Sequence, residues 1–262
     1  MLANCLIAVD VGNARIKLGL FDRGGCAAGL PEPRQILRLT GRAPEFDRLA
    51  SWLKELGNEG PLAWQLGSVN RPAGTRMIDW LRDRRPDDPV TLLGASDLPL
   101  VVKVPRPDMV GVDRLADAVA ANRLRAPGRA AVVVDVGSAI TVDMISPDGA
   151  FLGGAILPGI AMSARAMHEF TDLLPLVDMT ELESPPPALG TATVPAMQSG
   201  LFWGTVGAIG RLTEELAGHR EPQIFLTGGA GSAVAELLGR SARYVPHLTL
   251  AGLVLAGPNP SP

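Results

Sequence analysis

The sequence feature that most constrains the fold is a short motif that occurs twice, about half the chain apart. Residues 9–12 (VDVG) recur as residues 134–137 (VDVG) in a chain of 262 residues. Each copy ends an apolar run typical of a buried strand, and after a glycine turn the chain continues as an alternating polar and apolar stretch. In this alignment Ala14 corresponds to Ala139. The pattern predicts two related strand–turn–strand hairpins, each opening one half of the chain.

The segments around the two hairpins predict an α/β fold made of two similar domains. In both halves, segments with helical spacing alternate with short apolar strands. We expect an N-terminal domain over 1–126 and a C-terminal domain over 127–262, facing each other across a cleft. Each domain would present an acidic residue, Asp10 or Asp135, and a glycine turn at the end of its first strand.

Composition excludes several classes of protein. Hydrophobic residues make up 47% and charged residues 19%, which rules out a chain disordered throughout. The formal net charge of -3 gives no indication of a nucleic-acid or membrane-surface partner. Cys5, Cys26 and the scattered histidines lack the clustered spacing of a metal site. No stretch predicts a signal peptide or a membrane span, so we expect a soluble cytoplasmic protein.

The first hairpin carries a candidate phosphate-binding loop. The backbone N–H groups of a glycine turn can hold phosphate oxygens, and Asp10 can hold a magnesium ion through water. Lys17 is one of only three lysines in the chain and can reach a phosphate as a point charge. The alternative is an ordinary hairpin whose aspartate caps the turn. The candidate ATP-binding residues of this loop are Asp10, Val11, Gly12, Asn13, Ala14, Arg15, Ile16 and Lys17.

The second hairpin and a later glycine pair complete a candidate ATP site. The hydroxyl of Ser138 and the neighbouring N–H groups can hold further phosphate oxygens, and Asp135 can hold a cation. Gly228 and Gly229 stand between a predicted strand and a predicted helix, where small residues let adenosine approach the backbone. Alone, a glycine pair is only a turn. The three elements occur in the order found in actin-like and sugar-kinase ATPases, which favours an ATP-binding protein.

Residues 111–114 (GVDR) form a candidate substrate motif. Asp113 can act as a general base towards a hydroxyl, and Arg114 can bind an anionic group. A phosphoryl-transfer enzyme needs mainly positioning, charge neutralisation and one carboxylate near the attacking hydroxyl. The alternative is an acidic cap at a helix N-terminus with a solvated arginine beside it.

Together these motifs resemble the type III pantothenate kinase family over nearly the whole chain. The positions that match the family's motifs are Asp10, Gly12, Asn13, Lys17, Gly111, Asp113, Arg114, Asp135, Gly137, Ala139, Thr141, Asp143, Gly153, Gly154, Ile156, Pro158 and Gly159. Residues 190–200 (GTATVPAMQSG) resemble the family's substrate-contacting stretch, with Thr193 at its threonine. Ser138 and Ala14 depart from the family pattern, because they stand where threonine is common.

The resemblance implies a two-domain α/β fold of the actin-like ATPase (ribonuclease H-like) type and a pantothenate kinase activity. The γ-phosphoryl group of ATP would pass to pantothenate and give 4′-phosphopantothenate, in the first step of coenzyme A biosynthesis. The family needs a divalent ion such as Mg²⁺ with ATP, and a monovalent cation, K⁺ or NH₄⁺.

The same resemblance implies roles for the motif residues. Asp113 would be the catalytic base, and Arg114 would hold the carboxylate of pantothenate. Asp135 would bind the monovalent cation. The other residues expected to contact pantothenate are Gly111, Val112 and Thr193, and those expected to contact ATP beyond the first loop are Ser138, Gly228 and Gly229.

The family is homodimeric, and a helix over 195–217 with small residues on one side is our candidate for part of the interface. Two other functions stay open. One is a kinase of the same architecture that acts on a sugar, on acetate or on another small hydroxy acid. The other is a regulatory relative that has kept the fold without turnover. The intact acidic residues Asp10, Asp113 and Asp135 favour an active enzyme.

Overall fold

The computed structural model describes residues 5–22, 29–57, 60–179, 184–238 and 242–257, so that Cys26 lies outside the described residues. The chain divides into two compact units. The first comprises Met1–Leu124 together with His247–Pro262, and the second comprises Arg125–Pro246.

The first unit is built on a five-stranded mixed sheet with the order β3-β2-β1-β4-β5. The strands are β1 (Cys5–Val11), β2 (Arg15–Asp22), β3 (Gln35–Thr40), β4 (Ala63–Ser68) and β5 (Val90–Leu93). The helices are α1 (Phe46–Glu55), α2 (Arg71–Arg84) and α3 (Val112–Leu124). Alternate residues of the central strand, such as Ile7, Val9 and Val11, are fully buried in one core with the apolar sides of α1 and α2, as the period of two in a strand requires.

The second unit repeats this plan. Its strands are β6 (Ala131–Val136), β7 (Ala139–Ile145), β8 (Phe151–Pro158), β9 (Gln223–Thr227) and β10 (Ala242–Tyr244), in the order β10-β9-β6-β7-β8. Its helices are α4 (Ile160–Glu169), α5 (Thr193–Ala217) and α6 (Gly231–Leu237). Val132, Val134 and Val136 of the central strand share a core with side chains of α5 and α6.

The two sheets have the same connectivity, which confirms the predicted α/β fold with two similar halves. In each, the first strand pairs antiparallel with the second and parallel with the fourth. The second strand pairs antiparallel with the third, and the fourth pairs parallel with the fifth. This is the actin-like arrangement that the sequence predicts.

The two hairpins differ by one residue in the turn. The pairing of Val11 with Ile16 and of Val136 with Ile140 shows that the first turn is the longer. The predicted correspondence of Ala14 with Ala139 is therefore wrong beyond the turn, where Arg15 takes the place of Ala139. Direct sequence alignment missed the difference because both copies place an alanine two residues after the glycine.

A terminal helix, α7 (Leu248–Ala256), belongs to the first unit, so the predicted C-terminal domain of 127–262 is wrong at its end. The helix is apolar on all sides, and such a helix is stable only when it is buried. Leu250 and Leu253 are fully buried. Gly252 lies against the carbonyl oxygen of Ala116 in α3, and Gly67 of β4 leaves room for Leu253. The helix thus packs between α3 and the first sheet.

Within the described ranges, no helix combines the length and the apolar character that are needed to cross a bilayer.

We expect Gly252→Ala to destabilise the protein, because the added methyl group would overlap the Ala116 carbonyl at the crossing of α3 and α7. Overpacking of this kind costs about 1–3 kcal/mol, which thermal unfolding would measure. Gly210→Ala in α5 is the matched control, since among the residues that the structure describes its methyl group would meet only Leu238, at 3.8 Å. That change should be neutral or stabilising by about 0.5–1 kcal/mol. Equal effects of the two variants would contradict the packing of α7.

Candidate active site

Four side-chain positions of the first sheet form a row across its strands. Asp10 of β1 lies opposite Lys17 of β2 and opposite Gly67 of β4, and Lys17 lies opposite Arg38 of β3. Their neighbours along each strand point into the core with α1 and α2, so this row lies on the other face, where α7 and Val112 of α3 approach Gly67. We call this charged row, together with the start of α3 beside it, the first half-site.

Asp10 is held in this row as a largely buried carboxylate. The Nζ atom of Lys17 lies 3.7 Å from its Oδ2 atom, and the side chain of Asp10 is only 13% exposed. Burial raises the pKa of Asp10 above its ordinary value, the charge of Lys17 opposes that rise, and the charge of Asp113 adds to it. Val112, the residue before Asp113, also approaches Gly67, which is the cross-strand neighbour of Asp10, so the aspartates of two separate motifs lie on the same face of the sheet.

Asp113 lies in the first turn of α3, and the structure explains why a glycine precedes it by two residues. A Cβ atom on Gly111 would overlap Oδ1 of Asp113, so the glycine leaves room for the carboxylate to fold back over the start of the helix. There Oδ1 accepts a hydrogen bond of 2.8 Å from the backbone N–H of Arg114. Burial raises the pKa of Asp113, against the lowering effects of that hydrogen bond and of the charges of Arg114 and Lys17.

The first half-site suits a divalent cation that arrives with a nucleotide. Burial outweighs Lys17 and Arg114, so the charged forms of Asp10 and Asp113 are under-compensated and would be stabilised by a further positive charge. Within the described part of the chain, no three His, Cys, Asp or Glu side chains cluster as a metal cage. Mg²⁺ fits such a place, because it usually takes one or two carboxylates together with substrate phosphates.

Three of the predicted residues of the first unit can act only through their backbones or by packing. The side chains of Val11 and Ile16 are fully buried in the core with α1 and α2. Val112 is buried as well, and one of its methyl groups faces Gly67. Arg15, by contrast, is exposed.

The structure adds Arg38 and His247 to the neighbourhood of Lys17. Arg38 is the cross-strand partner of Lys17. His247 has left-handed backbone dihedral angles at the start of α7, a conformation unusual for a residue other than glycine. Its pKa is lowered by burial and then by the charges of Arg38 and Lys17. No local sequence pattern indicates this group, because its members come from three distant segments.

Gly41 and Asn70 are further residues that the sequence analysis missed. The N–H of Gly41 donates to the carbonyl of Ala14 over 2.8 Å, and a Cβ atom there would lie 2.8 Å from the Gly12 carbonyl oxygen. Asn70 caps α2, which begins at Arg71. An asparagine two residues before a proline is a usual start of a helix, and that signal could have found Asn70.

The second hairpin carries Asp135 in the same position as Asp10, but opposite a different residue. Asp135 of β6 lies opposite Thr141 of β7 and opposite Thr227 of β9. A threonine thus stands where the first hairpin has Lys17. Ser138 lies in the turn, and its carbonyl accepts a hydrogen bond of 3.1 Å from Gly159 after β8, as the Ala14 carbonyl does from Gly41 in the first unit.

The predicted adenosine loop lies beside Asp135. Gly228 and Gly229 form the turn between β9 and α6. Gly228 has a φ of +90°, and a Cβ atom on it would overlap Oδ1 of Asp135 and come within 2.5 Å of the Val136 carbonyl oxygen. Glycine is required here both for the backbone conformation and for the close approach. The space beside Gly228 is therefore lined by oxygen atoms of Asp135 and Val136, which come from a distant segment of the chain. We call this space the cradle.

Thr193 is the first residue of α5 and is exposed. The segment before it is fixed to the same helix, because Ser199 donates to the Ala188 carbonyl over 2.6 Å and Trp203 donates to the Pro186 carbonyl over 3.0 Å. Gly190 packs directly on the backbone of Ala196. The structure therefore groups Asp10, Lys17 and Asp113 in the first unit and Asp135 with Gly228 in the second, with Thr193 at a separate helix start.

These features define an actin-like kinase: two hairpins with an aspartate before each turn, a glycine loop after a parallel strand, and a buried carboxylate at a helix start. The model of the family described as type III pantothenate kinase matches residues 6–215. The chain belongs to that family, which confirms the resemblance found in its sequence.

Relatives of the family match almost the full chain. A type III pantothenate kinase of Paramagnetospirillum magneticum is 40% identical over 95% of this chain and 95% of its own. That of Cereibacter sphaeroides is 37% identical over 95% and 96%. Among solved structures, a putative Baf family transcriptional activator from Campylobacter jejuni covers 94% of both chains with a TM-score of 0.58 at 20% identity. A putative 2-dehydro-3-deoxygalactonokinase from Sinorhizobium meliloti covers 96% and 97% with a TM-score of 0.55 at 15% identity. The solved structures share the fold.

We expect Asp113→Asn to stabilise the protein at neutral pH. The raised pKa means that the charged carboxylate is disfavoured in the folded state, and this cost is complete above the folded-state pKa. It disappears as pH falls towards the pKa of the unfolded chain, about 3.9. The gain in unfolding temperature should therefore shrink as pH is lowered through the raised pKa.

The exposed Asp108 is the control for that measurement. Its pKa is lowered by its hydrogen bonds with Arg106, so Asp108→Asn should give no gain in unfolding temperature at neutral pH. If Asp113→Asn also gave no gain, the carboxylate of Asp113 would not be held at an energetic cost.

Proposed function

We propose that this chain is an ATP-dependent pantothenate kinase in which Asp113 is the catalytic base. The observation that carries the proposal is the meeting of Asp10, Lys17 and Asp113 at one place of the first unit. A phosphoryl-transfer enzyme needs positive charge for the phosphates and a carboxylate for the attacking hydroxyl. This group supplies both, and membership of the type III pantothenate kinase family supports pantothenate as the acceptor.

In the proposed mechanism, Asp113 accepts the proton of the primary hydroxyl of pantothenate as that oxygen attacks the γ-phosphorus of ATP. The bond from the γ-phosphorus to the β,γ-bridging oxygen breaks, and ADP leaves. Its raised pKa suits this task, because a base whose pKa is closer to the working pH transfers protons more effectively. Lys17 and the turn of the first hairpin hold phosphate oxygens. Asp10 holds the divalent ion, which neutralises phosphate charge when it is bound.

Arg114 binds the carboxylate of pantothenate in this proposal. It follows the base directly in α3, so one helix start would orient both the hydroxyl and the carboxylate ends of the acceptor. A guanidinium offers two parallel donors that match a carboxylate. Gly111, Val112 and Thr193 contribute further contacts with pantothenate.

The second hairpin holds the rest of the nucleotide and the monovalent cation. Ser138 contacts phosphate, and Gly228 and Gly229 contact adenosine. The cradle beside Gly228 presents oxygens of Asp135 and Val136, and oxygen ligands suit K⁺ or NH₄⁺. Thr141 opposite Asp135 brings no positive charge to compete with a cation, unlike Lys17 opposite Asp10.

We also propose that the protein acts as a cytoplasmic homodimer. Gly200 and Gly204 of α5 are exposed, and no atom of the described residues lies within 4 Å of a Cβ atom built on either. Large apolar side chains are exposed on the same unit, among them Phe170 at 80% and Leu173 at 85%. Exposed apolar side chains and an exposed helix face in the same unit support an interface with a second copy of the chain.

We expect Arg114→Lys to raise the pantothenate KM far more than the ATP KM. Complete loss of one partner of a charged, desolvated pair costs about 2–5 kcal/mol in binding. Lysine keeps the charge and loses the paired donors, so the pantothenate KM should rise by about tenfold, which corresponds to about 1.4 kcal/mol. The effect should be much smaller with an analogue that has a hydroxymethyl group in place of the carboxylate.

Arg123→Lys, at the exposed end of the same helix, is the control and should leave both KM values unchanged. Equal losses with pantothenate and with the uncharged analogue would show that Arg114 acts through structure and would refute the proposed contact.

We expect Asp10→Asn and Asp135→Asn to separate the two cations. Asp10→Asn should raise the Mg²⁺ concentration needed for half-maximal activity, because one carboxylate near the metal is lost, and should keep stimulation by K⁺. Asp135→Asn should abolish stimulation by K⁺. Steady-state rates over titrations of each ion would measure both effects. If the two variants respond alike to K⁺, the proposed division between the hairpins is wrong.

A further inference from the structure

Asn70 makes a contact with the first phosphate loop that no sequence motif indicates. Its Nδ2 atom donates to the carbonyl oxygen of Gly12 over 3.3 Å, across 58 residues of sequence. Gly12 lies in the turn between β1 and β2, whereas Asn70 lies between β4 and α2. The contact therefore connects the phosphate loop to a helix of the same unit.

The contact fixes the orientation of the peptide group between Gly12 and Asn13. In a planar trans peptide, the C=O and N–H bonds point in opposite directions, and the described residues contain no cis peptide bond. When the Gly12 carbonyl is held towards Asn70, the N–H of Asn13 must point away from α2. Among the described residues, that N–H has no hydrogen-bond acceptor, so it is available to an anion.

Asn70 is itself rigidly placed. Its Oδ1 atom accepts from the N–H of Ala73 over 3.2 Å, as a cap of α2. Its backbone carbonyl accepts from the hydroxyl of Ser68 over 3.0 Å. The N–H of Val69 donates to the Val11 carbonyl over 3.1 Å, which continues the pairing of β4 with β1 up to the turn.

The opposite side of the turn is fixed as well. Gly41 donates to the Ala14 carbonyl over 2.8 Å, so the carbonyls of Val11, Gly12 and Ala14 are all bound by neighbouring segments. The N–H of Gly12 donates within the hairpin to the backbone carbonyl of Arg15 over 3.0 Å. The N–H of Asn13 thus remains available in a turn in which the carbonyls of Val11, Gly12 and Ala14 are bound by neighbouring segments.

We infer that Asn70 is a positioning residue for ATP binding, which aims the N–H of Asn13 at a phosphate oxygen. The inference rests on the proposed role of the first hairpin as a phosphate loop. Without the Asn70 amide, the peptide group between Gly12 and Asn13 could rotate. The carbonyl oxygen of Gly12 would then face the phosphate, and the two negative groups would repel each other.

The test is the variant Asn70→Ser, in which the hydroxyl can still cap α2 but cannot reach the Gly12 carbonyl. One hydrogen bond contributes about 0.5–1.5 kcal/mol, so we expect the dissociation constant of Mg-ATP, measured by calorimetry, to rise about three- to tenfold. The ATP KM should rise to match, the pantothenate KM should stay constant, and the unfolding temperature should change little.

Met77→Ala is the control for simple loss of stability. Met77 is fully buried in α2 and lies away from the turn in sequence, so its truncation should lower the unfolding temperature and leave ATP affinity unchanged. An unchanged ATP affinity in Asn70→Ser, or an equal loss of affinity in Met77→Ala, would overturn the inference.

Lys17→Ala separates this inference from the role of the hairpin itself. If Lys17→Ala weakens ATP binding while Asn70→Ser does not, the inference about Asn70 fails and the hairpin remains the phosphate loop. If neither variant weakens ATP binding, both the phosphate loop and the inference are overturned.

Discussion

The burial of two neighbouring carboxylates, Asp10 and Asp113, is the constraint on which the rest of the first unit depends. Taking a carboxylate out of water raises its pKa, and here the positive charges of Lys17 and Arg114 offset the cost only in part. Folding alone does not favour such a site. It is stable because the sheet and the packed helices α3 and α7 hold the two side chains together, and under the proposed function a metal-bound nucleotide would supply the missing positive charge.

Glycine provides room for a carboxylate in both units. Gly111 leaves space for Asp113 at the start of α3, and Gly228 leaves space for Asp135 beside the loop after β9. In each case a Cβ atom would overlap a carboxylate oxygen. The glycines of these motifs therefore do more than allow a turn, because they let an acidic side chain lie directly against the backbone.

The shared topology makes the differences between the two hairpins informative. One extra residue in the first turn sets its register so that Lys17 faces Asp10, whereas Thr141 faces Asp135. The same aspartate position is thus next to a positive charge in one unit and next to a hydroxyl in the other. This difference is the physical basis for assigning the divalent ion to the first hairpin and the monovalent ion to the second.

The parts of the site that the sequence could predict are those carried by short local patterns. The two hairpins, the start of α3 and the loop after β9 each combine an apolar strand or helix with glycine, and the structure has these elements where the sequence predicts them. The contact of Asn70 with Gly12, the pairing of Arg38 with Lys17 and the place of α7 could not be predicted, since each depends on which distant segments pack together. The terminal helix shows this most clearly: its apolar pattern predicts burial but does not say in which unit.

The most direct test of the account is the identity of the phosphorylated product. The purified chain would be incubated with ATP, Mg²⁺ and K⁺ and, separately, with pantothenate, acetate, glucose and 2-dehydro-3-deoxygalactonate, and the products would be analysed by mass spectrometry. The account predicts ADP and 4′-phosphopantothenate in equal amounts, with no phosphorylation of the other acceptors. Failure of pantothenate to stimulate ATP consumption, or phosphorylation of a sugar acid in its place, would contradict it.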